Sequence, residues 1–501
     1  MTLGELVARA SALVPAAPAA VPQALLDRAV VSIEYDSRHV TTGAVFVAVR
    51  GHRADGAAFA EQARARGAVA TVAEVPAPPG WGDPWFVVGD ARVALAAFSA
   101  AFYRHPSEEL LVVGVTGTNG KTTTVHLLRA ILEEAGRRCG LIGTTGYVVG
   151  DTEHAAARTT PEASEVQRML RAMLDDGCRA CAMEVSSHAL ALHRVDHLRF
   201  SAAVFTNLTR DHLDFHESME SYFLAKRRLF EALPEGAPAL VNADDPYGVR
   251  LAADFGHATT YGLAHAADVT YSTLSITMHG LEAEVVTPDG TLRLRSRLAG
   301  RPNAYNVLAS VATSVALGLP GDAIERGIAA VTNVPGRFQT VSDPADDITV
   351  VVDYAHTDDA LRNLLETARP LTRGRVIVVF GCGGDRDRTK RPLMGAVAAR
   401  LSDLAFLTSD NPRSEDPSAI IEDIKKGMQS AAWSAVVDRR EAISRAIAGA
   451  RSGDMVLVAG KGHEQYQEVG GRVLPFDDVE VSRSALAERR IRVAAEVKEP
   501  R

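Results

Sequence analysis

Cysteine is scarce in this sequence, which has four cysteines among 501 residues. So few thiols argue against a disulfide framework and indicate a reducing compartment. Cys178 and Cys181 have CxxC spacing, but no second pair completes a zinc site, so we expect buried structural thiols. Also absent are a run of about 20 apolar residues and the basic start and apolar core of a secretory signal. These absences favour a cytoplasmic protein that is not inserted in a membrane.

An excess of basic residues is absent too, since 54 lysines and arginines face 62 aspartates and glutamates, a net charge of −8. This balance argues against a general nucleic-acid binder, although it permits local basic pockets for acidic substrates. The hydrophobic content of 47% and charged content of 23% are typical of a globular protein. The length exceeds what one hydrophobic core supports and suggests three domains.

The most informative segment present is a glycine-rich turn between an apolar run at 111–115 and a helical pattern at 125–132. The usual P-loop spacing requires glycine at position 115, where this chain has Val115. A turn between a buried strand and a helix start nevertheless favours phosphate binding, so we predict a nucleoside triphosphate site. Lys121 would reach the β- and γ-phosphates, and the hydroxyl of Thr122 or Thr123 could ligate Mg²⁺. The residues of the turn are Gly117, Thr118, Asn119, Gly120, Lys121, Thr122 and Thr123.

Alternating strand and helix patterns predict an α/β protein with parallel sheets. The predicted strands include 44–49 in the first unit and 202–207 in the second, which also contains a β-meander over 267–298. In a third unit, each of four apolar runs ends in a polar or glycine-rich turn. Ligands of such sheets bind at the carboxyl ends of the strands, so we expect a site there.

Two further residues, Glu184 and His212, are candidate metal ligands. Glu184 ends an apolar strand, where a carboxylate is costly without a partner, and it could ligate magnesium. His212 follows another predicted strand and is a candidate metal or phosphate contact. The pairs His188/His193 and His212/His216 do not have the spacing of a zinc protease, and no Gly-x-Ser-x-Gly elbow is present.

These motifs, in this order, resemble the Mur ligase family, the ATP-dependent amide-forming ligases of peptidoglycan precursor synthesis. The resemblance covers nearly the whole chain and is specific in segments 117–123, 184–188, 207–214 and 353–357. The Asp-Asn-Pro-Arg box at 410–413 looks like the selector of the member that adds meso-2,6-diaminopimelate to UDP-N-acetylmuramoyl-L-alanyl-D-glutamate. The resemblance implies that reaction, with ATP, Mg²⁺ and an acyl-phosphate intermediate.

The resemblance also implies the domain organisation. A small N-terminal α/β domain (1–108) would bind the UDP-sugar. A central P-loop ATPase-like domain with a parallel sheet (109–339) would bind ATP, and a C-terminal Rossmann-like domain (340–501) would bind the amino acid. The two substrates would be the partners of a monomer.

Residue roles follow from the same resemblance. Lys121, Glu184, His212 and Lys226 would be catalytic, and Lys226 would be carbamylated so that it holds Mg²⁺ together with Thr122, Glu184 and His212. ATP would also contact Asn306, Arg337, Asp353 and His356. The nucleotide-sugar substrate would contact Tyr35. Its uridine diphosphate end would contact Ser37, His52, Arg53 and Ala54, and its muramoyl-peptide end would contact Thr159, Thr160, Ser186 and Arg194. The diaminopimelate pocket would combine Arg386, Asp410, Asn411, Pro412, Arg413, Gly460 and Glu464. Similar family members often have glutamine where this chain has Leu192.

Other functions remain open at this point. A ligase of the same family could add lysine to the same acceptor or glutamate to folate. A P-loop switch or motor ATPase would use the same turn at 117–123. The cluster Gly381-Cys382-Gly383-Gly384 suggests a dinucleotide-dependent oxidoreductase as another alternative, although it lacks the full GxGxxG fingerprint.

Overall fold

The computed structural model describes residues 1–11, 17–18, 21–51, 54–429 and 432–498, with backbone alone for 17–18 and 494–498. These residues form three α/β units along the chain, each built around its own sheet. None of the described helices combines the length and apolar character that crossing a membrane demands.

The first unit contains a five-stranded sheet in the order β1-β5-β4-β3-β2, in which β1 alone is antiparallel to its neighbour. Its strands are β1 (Ala17–Pro18), β2 (Ser32–Glu34), β3 (Ala44–Val47), β4 (Ala70–Ala73) and β5 (Trp85–Val87). Its helices are α1 (Leu3–Ser11), α2 (Gln23–Leu26), α3 (Ala60–Ala65) and α4 (Ala91–Phe102). The strand predicted at 44–49 ends at Val47 because the N–H of Val49 turns back to the carbonyl of Val47 at 3.0 Å.

The second unit contains an eight-stranded sheet in the order β13-β12-β11-β6-β10-β7-β8-β9. The strands are β6 (Leu111–Thr116), β7 (Cys139–Gly143), β8 (Gly146–Val149), β9 (Thr152–His154), β10 (Ala180–Glu184), β11 (Ala202–Phe205), β12 (Ala239–Asn242) and β13 (Thr259–Tyr261). The predicted parallel arrangement is confirmed for six strands, whereas β8 and β9 extend the edge as an antiparallel meander. The strand predicted at 202–207 ends at Phe205, although the next residue, Thr206, still donates its N–H to the carbonyl of Thr116 at 3.0 Å.

Helices cover both faces of this sheet, and two buried apolar clusters lie on its two sides. The helices of this unit are α5 (Lys121–Glu134), α6 (Ala163–Asp175), α7 (Ser187–Ala191), α8 (Leu213–His216), α9 (Met219–Glu231), α10 (Pro246–Asp254), α11 (Arg301–Ala316) and α12 (Gly321–Ala330). The predicted β-meander forms a separate three-stranded sheet of β14 (Thr270–Thr277), β15 (Gly280–Thr287) and β16 (Gly290–Ser296).

The third unit contains a six-stranded sheet in the order β17-β18-β22-β19-β20-β21, in which β17 alone is antiparallel. The strands are β17 (Gln339–Thr340), β18 (Thr349–Asp353), β19 (Val376–Phe380), β20 (Leu404–Leu407), β21 (Trp433–Ala435) and β22 (Met455–Ala459), followed by a hairpin of β23 (Tyr466–Val469) and β24 (Arg472–Pro475). The helices are α13 (Asp358–Ala368), α14 (Lys390–Leu401), α15 (Pro417–Lys425), α16 (Arg439–Gly449) and α17 (Asp478–Lys498). The chain also has 3₁₀ turns at Gly56–Phe59, Pro106–Glu108 and Arg369–Leu371.

The cysteines are the four buried residues Cys139, Cys178, Cys181 and Cys382, all as free thiols. Burial raises the pKa of the Cys382 thiol to about 12, and it also raises the pKa of Cys139 and Cys181. The predicted burial of Cys178 and Cys181 is confirmed.

Candidate active site

The glycine-rich turn connects β6 to the N-terminus of α5, as predicted. Gly117 has a φ of +144°, and a Cβ there would lie 1.8 Å from Oγ1 of Thr206. Gly120 has a φ of +90°, and a Cβ there would lie 2.4 Å from Oδ1 of Asn306. Both positions therefore require glycine, because side chains of α11 and of the segment after β11 pack directly against the turn.

Lys121 is the first residue of α5 and its ammonium closes the turn. Nζ donates to the carbonyls of Gly117 and Thr118, both at 2.9 Å. Burial lowers the pKa of Lys121, although the charges of Glu184 and Asp211 oppose that shift. Because the free N–H groups of the helix start lie beside this cation, the turn is suited to an anionic group.

The hydroxyls of Thr122 and Thr123 are buried in the first turn of α5. Arg337 reaches this turn from the segment before β17, and its Nη2 donates to Oγ1 of Thr122 at 3.1 Å. Its guanidinium also lies 4.6 Å from the centre of the Tyr354 ring, a cation–π distance. Arg337 thus joins the turn to the third unit.

A second link joins the turn to the third unit. Nδ2 of Asn119 donates to Oδ2 of Asp359, in the first turn of α13, at 3.2 Å. Sequence reasoning did not identify Asp359, since an aspartate at a helix start is normally explained by the helix dipole alone.

Asp353 ends β18, and His356 lies three residues further along the chain. The carboxylate of Asp353 accepts N–H groups from Phe338 at 2.6 Å and Ala355 at 2.8 Å, while burial raises its pKa. Nδ1 of His356 donates to the carbonyl of Tyr354 at 2.8 Å, and burial lowers the pKa of His356. Its Nε2 is therefore the free ring nitrogen of a neutral imidazole.

Lys226 on α9 is 1% exposed and lies against the P-loop. Its Nζ donates to the carbonyl of Gly117 at 2.8 Å, the same oxygen that Lys121 contacts, and lies 4.5 Å from the centre of the Tyr222 ring. Burial, and then the charge of Lys121, lower the pKa of Lys226 well below its ordinary value. The structure therefore favours the neutral amine at this position.

Glu184 ends β10 and is 1% exposed. Its carboxylate accepts the Thr144 N–H at 2.8 Å and the Thr144 hydroxyl at 3.1 Å. His212 has a left-handed backbone with φ of +55°, its Nε2 lies 3.4 Å from Oδ2 of Asp211, and burial lowers its pKa to about 3. Across the described ranges, no group of three or more histidine, cysteine, aspartate or glutamate side chains is placed to hold a metal ion. Any cation here therefore needs other oxygen donors as well.

The residues predicted for the muramoyl-peptide end lie beside Glu184. The Thr160 hydroxyl donates to the Glu184 carbonyl at 2.8 Å and accepts the Ser186 N–H at 3.1 Å. Nη1 of Arg194 donates to the Thr160 carbonyl at 3.2 Å, and the Thr159 hydroxyl lies 3.0 Å from that of Thr144. Thus Thr159, Thr160, Ser186 and Arg194 form one group.

The residues predicted for the uridine end are described in part. His52 and Arg53 lie outside the described residues. Ser37 is buried and donates to Oε1 of Gln62 at 2.7 Å, Tyr35 is half-buried, and Ala54 is exposed. Leu192 lies at the end of α7, where its N–H donates to the His188 carbonyl at 2.8 Å.

One cavity of about 480 Å³ collects most of the predicted amino-acid pocket. Its lining includes Arg386, Asp410, Asn411, Arg413, Gly460 and Glu464 from the third unit. His212 of the second unit and His356 line the same cavity. Pro412 is buried and is not part of the lining.

Lys461 organises this cavity, and sequence reasoning did not single it out. Its side chain is 0% exposed, and Nζ donates to Oδ1 of Asn411 at 2.9 Å and Oε2 of Glu464 at 3.1 Å. Nδ2 of Asn411 in turn donates to Oε2 of Glu464 at 2.9 Å. The sequence did contain a signal for Lys461, which lies between two glycines in a turn at the end of a predicted strand. A lysine in such a turn is less readily explained as a solvent-exposed surface residue.

Arg413 is oriented by the β23–β24 hairpin. It has a φ of +53°, and its N–H donates to the carbonyl of Glu468 at 3.0 Å. Nε lies 2.8 Å from Oε2 of Glu468, and Nη1 donates to the carbonyl of Gly384 at 2.8 Å. Nη2 has no hydrogen-bond partner among the described residues, and Arg413 lines the cavity.

Comparison with known proteins places this geometry in a family. Three family models match: "Mur ligase family, catalytic domain" over residues 29–103, "Mur ligase middle domain" over 115–314, and "Mur ligase, glutamate ligase domain" over 336–462. A Geobacter metallireducens protein named UDP-N-acetylmuramoyl-L-alanyl-D-glutamate--2,6-diaminopimelate ligase is 48% identical over 90% of this chain and 93% of its own length. A Geobacillus thermodenitrificans protein of the same name is 47% identical over 92% and 96%.

Solved structures agree. A structure titled as a UDP-N-acetylmuramoyl-L-alanyl-D-glutamate--2,6-diaminopimelate ligase has a TM-score of 0.68 and 32% identity, covering 98% of this chain and 99% of its own. The MurF ligase of Thermotoga maritima in complex with ADP has the same fold, with a TM-score of 0.65 and 21% identity over 92% and 98%. The predicted three-domain α/β architecture is confirmed. With matching family models over most of its length and close relatives along nearly all of it, the chain belongs to the Mur ligase family.

Proposed function

We propose that this chain is an ATP-dependent ligase that joins meso-2,6-diaminopimelate to UDP-N-acetylmuramoyl-L-alanyl-D-glutamate, releasing ADP and phosphate. The observation that carries the proposal is the cavity that the Asp410–Arg413 box shares with His212 of the P-loop domain. It lets an amine held by the third unit meet an acid activated by the second. The sequence predicts this reaction, and relatives 44–48% identical to the chain carry its name.

The chemistry proceeds in two steps. ATP, a substrate here, transfers its γ-phosphoryl group to the D-glutamate carboxylate, which gives an acyl phosphate and ADP. The amine of diaminopimelate then attacks the acyl carbon, a proton leaves the nitrogen, and phosphate departs from the tetrahedral intermediate. Lys121 and the helix N–H groups stabilise the charge that develops on the transferred phosphoryl group.

The residues present fit a magnesium ion once ATP is bound. The Glu184 carboxylate and the Thr122 hydroxyl are the hard oxygen donors that Mg²⁺ prefers, His212 is neutral, and the phosphates of ATP supply further oxygens. Bound magnesium would neutralise phosphate charge. In the protein, Glu184 and Thr122 are held in place by Thr144 and Arg337 respectively.

Lys226 can join this donor set only as an anion. A neutral amine attacks CO₂, forms an N–C bond and loses one proton, which yields a carbamate with charge −1. Burial lowers the pKa of Lys226 and disfavours its ammonium form, which favours that reaction. The product would also replace the repulsion between Lys226 and Lys121 by attraction.

Selection of diaminopimelate rests on paired charges. Nη2 of Arg413 is free to bind the distal carboxylate, while the Asp410 carboxylate can bind an ammonium group. Lysine lacks the distal carboxylate and would leave Arg413 without that partner, which supports strong discrimination. Asn411 and Glu464, both held by Lys461, complete the polar wall.

The nucleotide substrate would lie along the group formed by Thr159, Thr160, Ser186 and Arg194, with its uridine end towards Tyr35 and Ser37. The separate sheets support three domains close to the bounds 1–108, 109–339 and 340–501, with the third sheet beginning at Gln339. A monomeric state and a cytoplasmic location remain predictions.

A phosphate-release assay with a panel of amino acids tests the proposal. Turnover should require ATP, the UDP-linked dipeptide and meso-diaminopimelate together. Saturable turnover with lysine and not with diaminopimelate would overturn the substrate assignment. Full ATP hydrolysis without acceptor and amino acid would instead indicate a P-loop switch or motor ATPase.

A further inference from the structure

A buried arginine lies behind the amino-acid cavity. Arg439 begins α16 and Asp478 begins α17, and both side chains are 0% exposed. Nε of Arg439 lies 2.8 Å from Oδ1 of Asp478 and Nη2 lies 2.6 Å from Oδ2, so the pair forms a two-bond fork. This geometry fixes the plane of the guanidinium.

The remaining contacts of Arg439 reach two strand-end turns. Nη2 donates to the carbonyl of Ala459 at 3.0 Å, and Nη1 donates to the carbonyl of Ser409 at 3.4 Å. Ala459 ends β22, while Ser409 lies two residues beyond β20, and β19 separates these two strands. Each carbonyl belongs to the residue immediately before a cavity residue, Gly460 or Asp410. Arg439 therefore ties together the backbone on either side of the cavity.

The gap between Asp410 and Gly460 is narrow. Gly460 has a φ of +123°, and a Cβ there would lie 2.4 Å from Oδ2 of Asp410 and 3.9 Å from Nη2 of Arg439. A small displacement of either turn would change the space left for a ligand group.

Asp410 carries an unused acceptor. It is 8% exposed, Oδ1 accepts the Asn411 N–H at 2.7 Å, and Oδ2 is buried without a hydrogen-bond partner among the described residues. A buried carboxylate oxygen without a partner is costly, so this atom calls for a donor from a ligand. Burial opposes ionisation of Asp410, yet the charges of Arg439 and Lys461 hold its pKa below the ordinary value.

A buried ion pair usually contributes little net stability, since desolvation offsets the attraction and apolar replacements are often tolerated. The position of this pair points to a geometric role. We propose that Arg439, clamped by Asp478, is a positioning residue of the amino-acid pocket, holding Asp410 and Gly460 at the separation that an ammonium group of the incoming diamino acid requires. This inference rests on the proposed function.

The first test is Arg439→Lys, which keeps the charge and loses the fork. One ammonium cannot satisfy Asp478 and both backbone carbonyls with the geometry of a planar guanidinium. We expect the KM for meso-diaminopimelate to rise about tenfold or more, while the KM values for ATP and the UDP-linked dipeptide stay within about twofold. An equal rise in all three would indicate a general structural role and would overturn the proposal.

Arg489→Lys is the matched control. Arg489, whose side chain is 7% exposed, also forms a two-bond fork in the third unit, with Asp347 at 2.8 and 2.7 Å, and it does not line the cavity. It also donates to the carbonyls of Ile447 and Ala450, as Arg439 donates to two carbonyls, although Asp347 is 32% exposed. This variant should lose some thermal stability and keep the wild-type KM for diaminopimelate. A similar KM increase in the control would refute a specific role for Arg439.

A double variant, Arg439→Met with Asp478→Leu, removes both charges and so avoids leaving one buried ion unpaired. It should remain folded by circular dichroism and show the raised KM for diaminopimelate alone. A wild-type KM in a folded double variant would refute positioning while the proposed function stands. If the wild-type enzyme itself shows no diaminopimelate-dependent turnover, the proposed function fails first and this inference falls with it.

Discussion

Arg413→Ala removes the side chain that, in the proposed reaction, binds the distal carboxylate of diaminopimelate. The guanidinium is already oriented by Glu468 at 2.8 Å and by the Gly384 carbonyl at 2.8 Å. The Arg413 side chain therefore loses little conformational entropy when the ligand binds. Two charge-assisted hydrogen bonds to a carboxylate contribute about 1.5–3 kcal/mol each, so their loss should cost about 3–6 kcal/mol. That loss corresponds to a rise of about 10²- to 10⁴-fold in the KM for diaminopimelate.

The assay is phosphate release with each substrate varied in turn, for wild type, Arg413→Ala and the control Arg388→Ala. Arg388 is 69% exposed, pairs with Glu415 at 2.9 Å and does not line the cavity, so its removal should leave all KM values unchanged. Discrimination against lysine should also collapse in Arg413→Ala, since the unpaired arginine no longer penalises it. A comparable rise in the ATP KM, or unchanged discrimination, would refute the selector role.

Three further predictions concern the P-loop, Lys226 and stability. Gly120→Ala should nearly abolish turnover, because backbone strain of about 1–2 kcal/mol adds to the steric contact with Asn306. Gly136→Ala, at φ +73° with no atom within 4 Å of its Cβ, should lose only stability. Equal kinetics for the two variants would contradict the packing argument. Lys226→Ala should be inactive and should regain turnover when short carboxylates are added. The control is Lys426→Ala, which should behave as wild type because the Lys426 side chain is 68% exposed. Full activity of Lys226→Ala without added carboxylate would refute a role for the Lys226 carbamate. The pKa of Asp244 is about 2 in the folded protein, below its ordinary 3.8, so its carboxylate stabilises the fold above pH 3.8 and this contribution disappears as the pH falls towards 2. Asp244→Asn should therefore unfold more easily by roughly 2 kcal/mol in denaturant titrations at pH 6, and a difference that persists at pH 2 would contradict this assignment.

The sequence was a good guide where the signal is local. An apolar run, a glycine-rich turn and a 3.6-residue pattern follow each other at 111–132, and the structure has β6, the turn and α5 there. The meander predicted over 267–298 from its turns at 279–280 and 289–290 is present at 270–296. By contrast, all three residues of the short strand β9 are exposed and none is apolar, so no apolar pattern could have predicted it.

The parts of the site that depend on distant pairing could not be predicted. Arg439 stands in a polar helix start and looks like a solvated cation, because its partner Asp478 is 39 residues further along the chain. The contact between Asn119 and Asp359 spans 240 residues and exists only once two domains pack together. The sequence predicted the residues of the amino-acid box, whereas Lys461, which holds two of them, became evident only from its burial.

Isotope labelling of the D-glutamate carboxylate with ¹⁸O is the most direct test of the acyl-phosphate intermediate. The UDP-linked dipeptide is prepared with ¹⁸O in the D-glutamate carboxylate and converted with ATP and meso-diaminopimelate, and the released phosphate is analysed by mass spectrometry. An acyl-phosphate route predicts one ¹⁸O atom in each phosphate released, since the carboxylate oxygen leaves with the phosphoryl group. Phosphate without ¹⁸O, alongside full conversion to the tripeptide product, would contradict it.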